Sequence, residues 1–177
     1  VEELKSGGTP DAEQEVAIEI LLPVTALLPS FYIPDEGERI SVYQKLAGSE
    51  DDATLSEFEA DLRDEYGDLP KQVKNLFSVL RLKLACRKAG VIRVKAEDKT
   101  RTAREVVLSL HPKVEAMDIM RLLQVNSGWK ISGSSLRIDE ADLIKRAGGP
   151  DYLKELATEI KALVRPAKEK KTMKESQ

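Results

Sequence analysis

The residues in this chain that could do chemistry are few, and they form no recognisable catalytic set. His111 is the sole histidine and Cys86 the sole cysteine in the sequence. A nucleophile needs an adjacent base, and one histidine supplies neither a triad nor a set of metal ligands. We therefore interpret His111, which stands between a predicted strand and Pro112, as a helix N-cap residue. Cysteine is among the most buried residue types, so we interpret Cys86 as a packing residue.

Two further features bear on nucleophilic chemistry. Arg87 and Lys88 follow Cys86 and could lower the pKa of its thiol, but a reactive thiol would also have to be exposed. Ser134 and Ser135 lie in a predicted turn without a base nearby. The sequence contains neither GxxxxGK[ST] nor a GxGxxG after a strand. It therefore predicts no catalytic residue, no metal site and no cofactor, and a chain that is not an enzyme.

Carboxylates are the one reactive group that clusters. Between residues 50 and 68, Arg63 is the only base among the acids. Glu57, Asp61 and Asp64 follow one another at i, i+4 and i+7, so they share one face of a predicted helix. Paired carboxylates can do acid–base work, hold a metal or accept bidentate bonds from arginines. Most charge runs are solvated faces, and the residues alone leave these alternatives open.

The charge balance bears on the class of partner. The 28 basic residues nearly balance the 31 acidic ones, which argues against a dedicated nucleic-acid binder. An alternative remains in which Lys71, Lys74, Arg81, Lys83 and the lysine-rich tail contact phosphates. No apolar run approaches the roughly 20 residues of a membrane span, and the acidic, glycine-rich start is not a signal peptide. With one cysteine, these features predict a cytoplasmic protein without a membrane segment.

Helical patterns dominate the first half of the chain. A strand over residues 15–22 is followed by an extended, proline-rich segment. Asp35 and Glu38 have the spacing of a capping box at the start of a helix that stops at Gly48. A second helix runs from about Asp52 to Tyr66. Its predicted apolar stripe is Leu55, Phe58, Leu62 and Tyr66, and its C-cap is Gly67.

A third helix and a small sheet follow. The pattern predicts a core helix over 70–89, opened by Pro70, with one side formed by Val73, Leu76, Phe77, Leu80 and Leu84. Strands are predicted over 91–94 and 104–110, joined by a charged turn over 95–104. Pro112 would open a helix through Val114, Met117, Met120 and Leu123. Short strands over 129–132 and 136–138, with Trp129 in the core, precede a last helix carrying Leu153, Leu156, Ile160 and Leu163.

These elements predict an α+β fold, with a helical N-terminal half packed beside a small mixed or antiparallel sheet covered by helices. The polar residues 1–14 have the composition of a linker. Residues 15–165 are predicted to form one domain. The lysine-rich residues 166–177 are predicted to be a disordered basic tail.

Particular residues carry a resemblance to a known family. The segments ILLPVTALLPSFYIPDEGERISVYQKLA and LSEFEADLRDEYGDLPKQVKNLFSVLRLKLACRKAGV resemble the start of the C-terminal domain of bacterial transcription-repair coupling factors, the Mfd family. The resemblance rests on Tyr32-Ile33-Pro34-Asp35, Arg39-Ile40, Tyr43, Tyr66-Gly67, Leu69-Pro70, Asn75-Leu76, Arg81-Leu82 and Gly90. It covers the first half of the chain strongly and the second half only in the order of elements.

The resemblance implies a regulatory role. Family members are ATP-dependent DNA translocases that release stalled RNA polymerase and recruit nucleotide excision repair through UvrA. Their motor precedes this domain, so residues 1–14 would be the linker from that translocase region. The C-terminal domain is not catalytic; it docks on the amino-terminal UvrA-binding module of the same protein and inhibits it. UvrA and RNA polymerase would thus be indirect partners, and direct DNA contact is not expected.

The resemblance also implies where docking occurs. The family's contact uses acidic positions on the helix before the aromatic-glycine pair, which match Asp61 and Asp64 and would face arginines. The candidate partner-binding residues are therefore Asp61, Asp64, Glu57 and Asp68. The chain departs from the family's Asp-Arg-Phe-Gly by having Glu65 in place of the arginine. A more basic partner surface or a shifted contact would accommodate that change.

Overall fold

The α+β prediction is confirmed by the architecture of the chain. The computed structural model describes residues 17–125 and 128–163, in which six helices accompany one five-stranded sheet. The strands are β1 (Glu19–Leu21), β2 (Val91–Asp98), β3 (Arg104–Leu110), β4 (Lys130–Ser132) and β5 (Ser135–Asp139). The helices are α1 (Glu36–Ala47), α2 (Asp52–Tyr66), α3 (Lys71–Ala89), α4 (Ala116–Val125), α5 (Glu140–Ala147) and α6 (Leu153–Lys161). The predicted linker, 1–14, and the predicted tail, 166–177, lie outside the described residues.

The sheet is mixed, in the order β1-β2-β3-β5-β4. β1 pairs parallel to β2, and the other neighbours pair antiparallel. Val106 lies opposite Ile138, and Leu108 lies opposite Leu136, so the central strands present one continuous apolar face. That face is buried. The predicted strand over 104–110 has the bounds of β3.

Helix α3 joins two hydrophobic cores. Its first half contributes Val73 and Phe77 to a helical core shared with α1 and α2. Its second half contributes Leu82 and Cys86 to the core beneath the sheet. The prediction of a central helix is confirmed. The predicted single apolar stripe of this helix was wrong in part. A helix that packs against two cores buries residues on more than one face. Leu76, Leu80 and Leu84 are half-buried, whereas Leu82, Ala85, Cys86 and Ala89 are buried.

The hairpin between β2 and β3 corrects the predicted turn. Residues 95–98 belong to β2, and the turn is confined to 99–103. Lys99 donates from its backbone N to the Ala103 carbonyl at 2.8 Å. Charged residues continue the strand because pairing needs only one buried face, and Asp98 lies opposite Arg104 at its end.

The segment after β3 also differs from its prediction. Pro112 does not open a helix; a turn occupies residues 112–114, and α4 begins at Ala116. Met117 and Met120 are 61% and 57% exposed, so they are not core residues. Leu122 of this helix is buried. Gly90, at φ +78°, leaves room for the turn over residues 112–114, since a Cβ on Gly90 would lie 2.5 Å from the Val114 side chain.

Helix α5 was missed from the sequence, and the last helix was predicted correctly. α5 buries Leu143 against the sheet. The four predicted apolar residues of the last helix, Leu153, Leu156, Ile160 and Leu163, are buried. Trp129 is buried as predicted, and its Nε1 donates to Glu159 at 3.0 Å.

Candidate functional site

Helix α2 carries the acidic residues and is capped at both ends. The Asp51 carboxylate accepts a hydrogen bond from the Thr54 backbone N at 2.7 Å. That bond lowers the pKa of Asp51, because it stabilises the charged form. Gly67 ends the helix at φ +87°, a conformation that disfavours side chains. The buried Leu55 and Leu62 hold the inner side of α2 on the helical core.

The acids on one side of α2 are bound within the chain. Arg81 of α3 donates from Nη1 and Nη2 to the two Glu59 oxygens at 2.9 and 3.1 Å. It also donates to Asp52 at 3.2 Å and to Ser56 at 3.2 Å. The Glu59 hydrogen bonds raise the pKa of Arg81. The guanidinium also lies 5.9 Å from the centre of the Phe77 ring. Asp52 and Glu59 therefore fasten α2 to α3.

The acids on the other side of α2 have no such partner. Glu57, Asp61 and Asp64 on α2 are exposed, and so is Asp68, which follows the C-terminal Gly67 of the helix. In the part of the chain that the structure describes, no side-chain hydrogen bond or ion pair reaches their carboxylates. The helix thus divides its charges into a paired inner side and an unpaired outer side. The outer side is available to a partner.

A groove of about 440 Å³ opens between α1 and α2, beside the unpaired acids. Its apolar lining consists of Val42, Leu46, Phe58 and Leu62. Its charged lining consists of Asp61, Asp64, Glu65 and Lys45. We call this feature the α1–α2 groove.

The α1–α2 groove brings together two of the four predicted site residues. Asp61 and Asp64 line it, whereas Glu57 and Asp68 lie outside its lining. Glu65 lines it but was not among the predicted contacts. Its position four residues after Asp61 was the available signal, because residues four apart are neighbours on a helix surface.

Helix α1 is capped at its start and tied to α2 by a side-chain hydrogen bond. The Asp35 carboxylate accepts from the Glu38 backbone N at 3.0 Å, so half of the predicted capping box is present. The Glu38 carboxylate instead accepts from the Tyr66 hydroxyl at 2.7 Å, which ties α1 to the end of α2. This bond raises the pKa of Tyr66. In a full capping box the Glu38 carboxylate would accept from the Asp35 backbone N. Here it makes a tertiary contact with Tyr66 instead.

A second tyrosine ties the entry segment to α2. Tyr32 donates from its hydroxyl to the carbonyls of Leu62 and Gly67, at 3.1 and 2.8 Å. Its ring lies 5.7 Å from that of Tyr66, between centroids. On the other side of α1, the Leu28 backbone N donates to the Tyr43 hydroxyl at 2.7 Å. The walls of the α1–α2 groove are thus braced from both directions.

The remaining chemical candidates, Cys86 and His111, lie in the core and in a turn, respectively. Burial raises the pKa of the Cys86 thiol to about 12, so the neighbouring cations do not activate it. His111 is not a helix N-cap, because no helix begins there. Its Nδ1 accepts from the Lys113 backbone N within a turn. Among residues 17–125 and 128–163, no group of three or more histidine, cysteine, aspartate or glutamate side chains could hold a metal ion.

The basic residues of the nucleic-acid alternative do not form one free surface. Arg81 is committed to Asp52 and Glu59, and Lys83 is half-buried. Lys71 and Lys74 are exposed on the first turn of α3. The alternative therefore rests on two lysines and on a tail that lies outside the described residues.

Of the helices in the described ranges, none has the length and apolar character to cross a membrane.

The fold belongs to a class already seen in a solved structure. It is similar to the crystal structure of the C-terminal domain of a transcription-repair coupling factor, with a TM-score of 0.70 and 22% identity. The similarity covers 86% of this chain and 94% of that one. At this identity the comparison concerns the fold alone. The class is thus an α+β domain with a helical half and a mixed sheet.

The family follows from the sequence comparison. The TRCF domain model matches residues 22–116, just over half of the chain, and the chain therefore belongs to the TRCF domain family. The resemblance inferred from the first half of the sequence is confirmed.

Known relatives are much longer than this chain. It is 37% identical over 98 residues to the transcription-repair-coupling factor of Haemophilus influenzae, covering 54% of this chain and 9% of that protein. The relative from Escherichia coli strain K12 is 31% identical over 103 residues, covering 56% and 9%. The relative from Mycobacterium tuberculosis is 38% identical over 85 residues, covering 48% and 7%. The match to this chain thus spans 7% to 9% of these three curated relatives.

Proposed function

We propose that this chain is the non-catalytic regulatory domain of a cytoplasmic transcription-repair coupling factor. The outer acidic side of α2 docks on the amino-terminal UvrA-binding module of the same protein. Docking covers the surface that UvrA would occupy and so inhibits recruitment until the motor engages RNA polymerase. The observation that carries the proposal is the set of exposed, unpaired carboxylates beside the α1–α2 groove.

The division of charge on α2 supports a docking function. A helix that needed its acids only for stability could pair them all, as Asp52 and Glu59 are paired with Arg81. Asp61 and Asp64 instead stand unpaired at a concave surface. Carboxylates at such a surface accept bidentate bonds from arginines and reject acidic partners. A basic patch on the amino-terminal module is therefore the matching surface.

The test is a calorimetric titration of this chain into the amino-terminal module, at low and moderate salt. The Asp61→Arg/Asp64→Arg variant should lose at least ~2 kcal/mol of binding free energy, because reversal places like charges opposite each other. Binding by the unaltered chain should weaken as salt rises, since the contact is charged. A Glu50→Arg/Asp151→Arg variant carries the same charge change at exposed positions outside the groove. It should bind as the unaltered chain does.

Two outcomes would contradict the proposal. Equal affinities for the reversed variant and the unaltered chain would remove Asp61 and Asp64 from the contact. Salt-sensitive binding to duplex DNA, with none to the module even when the two are joined in one chain, would favour the Lys71 and Lys74 alternative. Joining them matters because tethering raises the effective concentration. Glu57 and Asp68 remain predicted contacts of smaller effect, since they lie off the groove.

A further inference from the structure

We propose that the α1–α2 groove binds a basic, amphipathic segment of the partner, whose apolar anchor side chain enters the groove between arginines. The proposal deepens the docking function and rests on it. It assigns a contact role to the apolar floor, which charge pairing alone would not require, and to Glu65, which was not among the predicted contacts. The occupant is therefore a segment with one large apolar residue flanked by basic ones.

The floor of the groove is suited to an apolar side chain. Leu46 and Leu62 are buried at its base, while Val42 and Phe58 are only half-buried and face the opening. Apolar surface left open between two helices loses its contact with water when a partner side chain covers it. A solvated acidic face would need no such floor. The floor thus distinguishes an anchored contact from a purely electrostatic one.

The charged rim specifies the neighbours of the anchor. Three carboxylates, those of Asp61, Asp64 and Glu65, stand on the α2 side, and the ammonium of Lys45 stands on the α1 side. The excess of negative charge favours a basic occupant, and its uneven placement orients that occupant with its bases toward α2. Arginine fits this rim better than lysine, because its planar fork binds carboxylates bidentately while its stem covers apolar surface.

The groove is formed before a partner arrives. Tyr66 binds Glu38 across the end of the two helices, and Tyr32 binds the Leu62 and Gly67 carbonyls. These bonds fix the spacing of α1 and α2 without occupying the groove. A preformed site spends less binding free energy on ordering its own side chains. An anchor of defined size can therefore be selected by shape.

The test uses calorimetric titration of chain variants into the amino-terminal module at two salt concentrations. Val42→Asn makes the floor polar without changing charge, and it should weaken binding about tenfold while leaving the salt dependence unchanged. Val42→Ala is the milder floor variant and should weaken binding about threefold. Glu65→Arg should weaken binding and also reduce its salt dependence. Ile40→Asn is the matched control, because Ile40 is exposed on α1 outside the groove.

The outcomes separate this inference from the docking function itself. One result is that the Asp61→Arg/Asp64→Arg variant loses binding while both Val42 variants bind like the unaltered chain. That result would overturn the proposal of an apolar anchor and would leave the proposed docking function intact. If none of these variants weakens binding, both proposals fail. A thermal melt of each variant shows whether the fold is kept. Should Val42→Asn unfold, Val42→Ala decides, since alanine is well tolerated in a helix.

Discussion

At the scale of single residues, α2 separates carboxylates that stabilise the fold from carboxylates without a side-chain partner in residues 17–125 and 128–163. The helical spacing of Glu57, Asp61 and Asp64 could be predicted from the sequence, because it follows from the period of the helix. The pairing of Glu59 with Arg81 could not, since the two residues are 22 positions apart and meet only through the packing of α2 on α3. The sequence thus shows which acids share a face but not which are already bound.

Cys86 is expected to be chemically silent in the folded protein. Its thiol is buried and its pKa is raised to about 12, so almost none of it is thiolate at pH 8. Iodoacetamide at pH 8 should leave the native chain unmodified over hours and should label it rapidly in denaturant. Mass spectrometry of the alkylated protein makes the measurement. Fast, stoichiometric labelling of the native chain would show that the packing around Cys86 opens readily.

The Asp51 cap should make stability depend on acid pH. Its folded pKa is lowered by the Thr54 hydrogen bond, so its contribution is full above the ordinary aspartate pKa, about 3.9. The contribution is lost as the pH falls through the lower folded value. The native chain should therefore have a higher melting temperature than the Asp51→Ala variant at pH 7. The difference between the two melting temperatures should shrink below about pH 4. The Asp51→Asn variant keeps an uncharged acceptor, so the difference between its melting temperature and that of Asp51→Ala should not shrink at acid pH.

At the scale of elements, strong periodic patterns predicted structure well and short ones did not. The predicted bounds of α2 and β3 match the structure. Helix α5 was missed although its sequence is amphipathic, because it spans only eight residues and begins directly after β5. Its ends carried the better signal: acidic Glu140 and Asp142 in the first turn, Lys145 and Arg146 in the last, and Gly148 after it.

Arg81 should be the residue that holds α2 on α3. Removing its side chain in Arg81→Ala breaks the bonds to Asp52, Ser56 and Glu59 and should cost about 2 kcal/mol of unfolding free energy. Arg81→Lys should recover only part of this, because one ammonium cannot reproduce the bidentate fork. Urea unfolding followed by circular dichroism gives both values. A lysine variant as stable as the native chain would show that only the charge matters.

At the scale of the whole molecule, α3 makes the two cores one structure. Val73 and Phe77 pack in the helical core, and Leu82 and Cys86 pack beneath the sheet. The two helices that form the groove, α1 and α2, pack on the helical core that α3 joins to the core beneath the sheet, so the entire domain positions them. The fold class was predictable from the order of elements. The groove was not, because it depends on how α1 and α2 approach each other.

The braces around the groove illustrate that limit. Tyr32 reaches the Gly67 carbonyl across 35 positions, and Tyr66 reaches Glu38 across 28. Neither contact has a signature in local spacing. The acidic stripe could thus be proposed from the sequence, whereas the apolar floor and the place of Glu65 required the structure.

We propose that docking of this domain hides the UvrA-binding surface of the parent protein. The most direct measurement is the affinity of UvrA for the complete parent protein, with and without Asp61→Arg/Asp64→Arg, beside the isolated amino-terminal module. The reversed variant should bind UvrA about tenfold more tightly than the unaltered protein and should approach the isolated module, since release removes a competing contact. Equal affinities for all three would contradict the account, because the surface would then never have been covered.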